Sequence, residues 1–153
     1  DGDKLTLNFP AQPPIPYNTP QEIIEAFNIE PIECLKSEDY IVLLNSEQDV
    51  MLADPNIEPL NNLATRGVII TAKSEKYDFV ARCFFPGLGI NEDPVTGSAY
   101  TQLAPYWASK LGKTKFSAKQ LSARGGELTC EVIDDRVYIS GKAVKFMEGT
   151  ITI

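Results

Sequence analysis

Gly97-Ser98-Ala99-Tyr100-Thr101-Gln102-Leu103-Ala104-Pro105-Tyr106-Trp107-Ala108-Ser109-Lys110-Leu111 is the stretch that decides the fold. Small and apolar residues fall almost all round a helical wheel, so the segment predicts a helix buried on every side. Pro105 removes one backbone donor inside it and predicts a bend. Gly112 is a natural stop. A helix without a solvent face has to be wrapped by other elements, and the flanking sequence supplies strands.

Downstream, Lys115 to Leu121, Glu127 to Ile133, Val137 to Ser140 and Ala143 to Ile151 read as strands, with Asp134-Asp135-Arg136 as a hairpin turn. Upstream, Gly67 to Ala72 is a continuous apolar strand and Asp78 to Phe85 is the next, joined by the polar turn Lys73 to Tyr77. Ile32 to Lys36 and Tyr40 to Leu44 predict a hairpin around Ser37-Glu38-Asp39. Lys4 to Phe9 alternates polar and apolar residues and predicts a strand with one buried face. The five prolines between Pro10 and Pro20 predict an extended connection. Three helices are expected here. One starts with Thr19 as N-cap and Pro20 at its first position and runs to Phe27. Another opens at Ser46 and ends near Pro55, and a third spans Glu58 to Thr65. About nine strands and three or four helices, grouped rather than alternating, predict an α+β fold with one central helix, in a single domain over residues 1–153.

Composition narrows the function. The 153 residues are 43% apolar and 23% charged, ordinary globular values. Fourteen Lys and Arg against 21 Asp and Glu give a net charge of −7, which repels phosphate backbones, so no nucleic-acid partner is expected. No apolar run reaches the roughly 18 residues of a membrane span, and no membrane partner is expected. The absence of histidine removes Ser-His-Asp, Cys-His and most zinc sites. Cys34, Cys83 and Cys130 are odd in number and widely spaced. They predict buried thiols in a reducing, cytoplasmic setting rather than disulfides or a metal site. The chain opens at Asp1-Gly2-Asp3-Lys4 without Met, as a piece of a longer protein would.

The segment that carries chemistry runs from Arg82 into the central helix: Arg-Cys-Phe-Phe-Pro-Gly-Leu-Gly-Ile-Asn-Glu-Asp-Pro-Val-Thr-Gly-Ser-Ala, residues 82–99. A strand ends, a glycine-rich acidic loop follows, and the buried helix begins near Gly97. A helix start presents unpaired N–H groups and a partial positive charge, which suit a carboxylate or phosphate. Gly97 lets a ligand approach the backbone, Ser98 adds a hydroxyl, and Asp93 can bond an amine or hydroxyl of the same ligand. The same residues allow a structural alternative, with Thr96 capping the helix and Asp93 satisfying loop N–H groups. Three rival motifs fail. The third glycine of a dinucleotide fingerprint after Gly87-Leu88-Gly89 falls at Glu92, no phosphate-binding GxxxxGK[ST] loop occurs, and Ser98 has no base to make it a nucleophile.

The stretch Phe84 to Ala99, with Gly89-Ile90-Asn91-Glu92-Asp93-Pro94-Val95-Thr96-Gly97-Ser98-Ala99 at its heart, resembles the signature of the phenazine-biosynthesis PhzF-like isomerase family. Leu103-Ala104-Pro105-Tyr106-Trp107, Gln120 to Gly126 and Val137 to Gly141 are similar to the same family. Lys4 to Pro10 is similar to the start of its second half. The resemblance implies a diaminopimelate-epimerase-like domain, a β-barrel-like sheet around a central helix, and makes this chain the C-terminal domain of a two-domain isomerase. It implies proton transfer within a small, cyclic amino or hydroxy acid, with no metal and no organic cofactor. Asp93 becomes the catalytic-site acid that holds the substrate's polar groups, and Gly97, Ser98 and Thr96 become its substrate-binding companions. The resemblance places the catalytic glutamate on a first domain, to which nothing in this chain corresponds, and implies as partner that domain or a homodimer mate. Tyr100 stands where the family often has His. A non-catalytic ligand-binding or interaction protein on the same fold is the alternative; Arg124 to Gly126 reads as a strand-joining turn ahead of a ligand contact, and Tyr106 and Trp107 as core or interface ahead of a stacking platform.

Overall fold

The computed structural model describes residues 4–152. A ten-stranded mixed sheet runs β1 (Lys4–Pro10), β10 (Arg136–Lys142), β9 (Gly126–Ile133), β8 (Lys115–Gln120), β6 (Phe79–Phe85), β5 (Val68–Lys73), β4 (Tyr40–Leu43), β3 (Glu33–Lys36), β2 (Ile15–Pro16), with β7 (Ile90–Asp93) branching from β6. Two pairs are parallel, β4 with β5 and β6 with β8, and their crossovers use opposite faces of the sheet. Helices α1 (Gln21–Phe27), α2 (Glu47–Leu52) and α3 (Ile57–Leu60) cover one face, and α4 (Ala99–Leu111) covers the other. The class is α+β. The sheet curls over α4 but is open rather than closed into a barrel: β1 and β2 are its two free edges.

Strands β5 and β6 are mostly apolar because both of their faces are covered. Ile69, Phe79, Ala81, Cys83 and Phe85 pack toward α4, whereas Val68, Ile70, Ala72, Val80 and Phe84 pack toward α1–α3. The α4 helix is enclosed as its composition demands, with Tyr100, Leu103, Ala104, Tyr106 and Trp107 all buried and Trp107 stacked on Phe79 at 5.4 Å. Pro105 donates nothing to the Thr101 carbonyl four residues back, and the backbone N–H of Gln12 takes that acceptor at 2.9 Å. The proline therefore ties the extended 11–14 connection to α4. Gly112 ends the helix at φ 64°, as expected, with its N–H on the Ala108 carbonyl.

Several expectations are corrected. The first helix starts one residue late, with Pro20 at the cap position and no side-chain cap. The third is a single turn, Ile57–Leu60, followed by turns. Strand β1 forms but is exposed on every residue, since it has one neighbour, β10, and lies beyond the reach of α4. The proline-rich connection contributes the short β2. The segment from Ala143 to Ile151 is not a strand but an exposed stretch without regular structure. The acidic loop hides β7, which pairs with β6.

Candidate functional site

The site forms where β7 turns into α4. Residues 86–88 make one 3-10 turn, Gly89 reverses the chain at φ 76°, and β7 then runs back along β6 with Cys83 opposite Asp93. Side chains alternate across a strand, so Glu92 and Asp93 face opposite ways. Glu92 is held by Arg82 in a two-pronged pair, Nε to Oε1 at 2.7 Å and Nη2 to Oε2 at 3.0 Å. Arg82 also donates to the Ala53 carbonyl at the end of α2. That fixes Glu92 on the α2 side and turns Asp93 toward α4.

Asp93, half-buried, accepts a hydrogen bond from the Thr96 hydroxyl through Oδ2. Gln120, fully buried at the end of β8, clamps the same turn: Oε1 accepts the Thr96 N–H at 2.9 Å, and Nε2 donates to the Asp93 carbonyl at 2.7 Å and to the Thr96 hydroxyl at 3.1 Å. The Ser122 hydroxyl donates to the Pro94 carbonyl at 2.7 Å, and the Gly125 N–H donates to the Ser122 hydroxyl. A Cβ at Gly126 would lie 2.4 Å from Val95 Cγ2, so only glycine admits the loop this closely. Residues 120–126 are thus more than a strand-joining turn. They form the bed on which residues 93–96 lie. Sequence reasoning gave Gln120 no role; its signal was an amide closing a strand whose alternate positions, Phe116 and Ala118, are core.

The helix proper starts at Ala99, two residues beyond Gly97. Ser98 already has helical dihedrals, and its side chain caps nothing. Among the described residues, no protein acceptor meets the N–H groups of Gly97, Ser98 or Ala99. An added Cβ at Gly97 would find no protein atom within 4 Å, so the backbone there faces open space. That space belongs to a cleft of about 950 Å³ between the start of α4 and the inner face of β1, β10 and β9. Thr96, Gly97 and Tyr100 form one wall and Arg124–Gly126 another. The charged residues lining it are Lys4, Arg124, Lys142 and Glu127, a cationic excess in a chain of net charge −7. Asp93 and Ser98 adjoin the cleft without lining it.

Tyr100 is completely buried, and burial pushes its phenol well above the ordinary value. Cys83, next to Thr96, is likewise raised by burial far beyond an ordinary thiol, and Cys130 is pushed up to about 12. All three cysteines are buried and free, the state expected for inert thiols. Of the two places expected for Tyr106 and Trp107, core or interface, they take the core. Among the described residues no cluster of His, Cys, Asp and Glu has the makings of a metal site, and no helix is long and apolar enough to cross a membrane.

A profile described as phenazine biosynthesis-like protein matches residues 19–149. The chain belongs to the phenazine biosynthesis-like, PhzF family. It is 50% identical over 151 residues to an uncharacterized isomerase of Pseudomonas aeruginosa, covering 99% of this chain and 58% of that protein. A mouse phenazine biosynthesis-like domain-containing protein is 37% identical over 171 residues, with 98% of this chain and 59% of the relative covered. The crystal structure of a PhzF-family protein from Enterococcus faecalis superimposes with a TM-score of 0.92 at 40% identity, over 100% of this chain and 59% of that one. The chain therefore spans about three-fifths of the length of these relatives.

Proposed function

We propose that this chain is the substrate-anchoring half of a cofactor-independent isomerase that moves a proton within a small, cyclic amino or hydroxy acid. The N–H groups of Gly97 and Ser98 take the substrate carboxylate, Asp93 takes its amine or hydroxyl, and Thr96 closes the wall beside them. The catalytic glutamate comes from a first domain, which packs against the cleft. One observation carries this reading: the first N–H groups of α4 face open space with no protein acceptor, next to a carboxylate whose loop is clamped in place. The isomerase names of the P. aeruginosa relatives agree with it.

Asp93→Asn, in the protein carrying both halves, tests the assignment. Loss of a charge-assisted bond is worth about 1.5–3 kcal/mol, so turnover or affinity for a cyclic amino acid falls roughly ten- to a hundred-fold, with little change in melting temperature. Unchanged affinity alongside a clear stability loss would make Asp93 a loop brace instead. The buried Tyr100, standing where the family often has His, favours a second reading: a site that binds without catalysing. Incorporation of solvent deuterium into the ligand separates the two, since only the isomerase exchanges a carbon-bound proton.

A further inference from the structure

Gln120 and Thr96 are tied to Asp93 in a way that fixes which atoms carry the protons. The backbone N–H of Thr96 can only donate, so the amide atom facing it at 2.9 Å is Oε1. The Asp93 carbonyl can only accept, so the atom facing it at 2.7 Å is Nε2. These two backbone groups orient the amide. The second Nε2 proton then points at the Thr96 hydroxyl oxygen, 3.1 Å away. With that oxygen receiving a proton from Gln120, the hydroxyl's own proton goes to Oδ2 of Asp93. The remaining neighbour of Thr96, the Cys83 thiol, is held protonated by burial and removes no proton from the group. Among the described residues nothing bonds Oδ1 of Asp93.

We infer that Gln120 and Thr96 are positioning residues: the Gln120–Thr96–Asp93 chain engages Oδ2 and presents Oδ1 as the acceptor for the ligand. This rests on the site proposed above, but the proton order can be tested without it. A loop brace needs only that the turn be held, whereas this arrangement needs a hydroxyl at position 96 and an amide at position 120. Gln120 is fully buried, so its amide finds no water to replace a lost partner.

Two variants separate these roles. Thr96→Ser keeps the hydroxyl and loses a methyl; Thr96→Val keeps the shape and loses the hydroxyl. In the 153-residue chain, both Gln120 side-chain amide protons should exchange slowly with solvent by 15N-edited NMR. One should lose protection in Thr96→Val and stay protected in Thr96→Ser. The carboxyl 13C signal of Asp93 should move in Thr96→Val alone. Gln120→Met, which has no N–H to donate, should move that signal as well. In the protein with both halves, turnover of a cyclic amino acid falls roughly tenfold or more in Thr96→Val and recovers in Thr96→Ser. Fast exchange of both Gln120 amide protons in the parent, or equal effects of Ser and Val, overturns the inference. If the parent has no isomerase activity the proposed function fails, and the NMR comparison still decides the proton order.

Discussion

At the level of single residues, two glycines of this chain do opposite work. Gly67 precedes β5, and a Cβ there would lie 2.1 Å from Phe85 Cδ1 and 2.6 Å from the Phe84 carbonyl oxygen. Neither Phe85, buried in the core, nor the β6 backbone can move aside without disturbing the sheet. Overpacking of this kind costs about 1–3 kcal/mol, so Gly67→Ala should lower the melting temperature by several degrees. Gly97 has open space where its Cβ would be. Gly97→Ala should leave stability within about 0.5 kcal/mol and weaken ligand binding, because a methyl would occupy the approach to the N–H groups. Thermal melts of both variants check the pair; a Gly97→Ala protein as destabilised as Gly67→Ala would mean that the space is not open in solution.

Among the elements, one carboxylate braces β6 beside β8. Asp78, just before β6, accepts the Ser117 N–H at 2.8 Å and the Ser117 hydroxyl at 3.3 Å, and pairs with Lys113. Partial burial works to raise the Asp78 pKa, but the hydrogen bonds from Lys113 and Ser117, together with the lysine charge, outweigh it, and the net direction is down. A carboxyl depressed in the folded state adds stability above its unfolded value, about 3.9, and loses it as pH falls through the folded one. Asp78→Asn should therefore cost more stability at pH 7 than at pH 3, measured by urea unfolding at both. A cost equal at the two pH values would assign the effect to shape rather than charge.

The same elements show what the sequence makes legible. The enclosure of α4, its stop at Gly112 and the two-sided burial of β5 could all be read from periodicity, because each is dictated by local composition. Strand β7 could not. Ile90-Asn91-Glu92-Asp93 has low strand propensity, and it pairs with β6 alongside an ion pair between Glu92 and Arg82. The candidate site divides along the same line. Asp93, Gly97 and Ser98 stand in one motif, whereas Gln120 is brought to it from a strand 24 residues beyond Thr96 by the β6–β8 pairing. Alternation with Phe116 and Ala118 points to its burial, but its contact with Thr96 is a property of the sheet.

For the whole molecule, the decisive feature is apolar surface without a cover. Leu5, Leu7 and Phe9 of β1 lie opposite Gly141, Ile139 and Val137, on the face that elsewhere packs on α4, yet Leu5 and Leu7 remain 64% and 51% exposed. Beyond β10, Val144 and Phe146 are 94% and 99% exposed, and the alternation there gives a strand-like pattern that joins no strand. Leu5, Leu7 and Val144 also line the candidate cleft, so whatever covers them would close the site. On the function proposed above, an apolar face of this kind is where the first domain packs; the chain covers 58–60% of its relatives. The 153-residue chain alone should then sediment above its monomer mass of 16.9 kDa and bind an apolar dye. Leu5→Asp with Leu7→Asp should return it to a monomer without lowering its melting temperature, since both side chains are already in water. A parent chain that sediments as a monomer and binds no dye would show that this face needs no partner, and would remove the argument that a first domain completes the cleft.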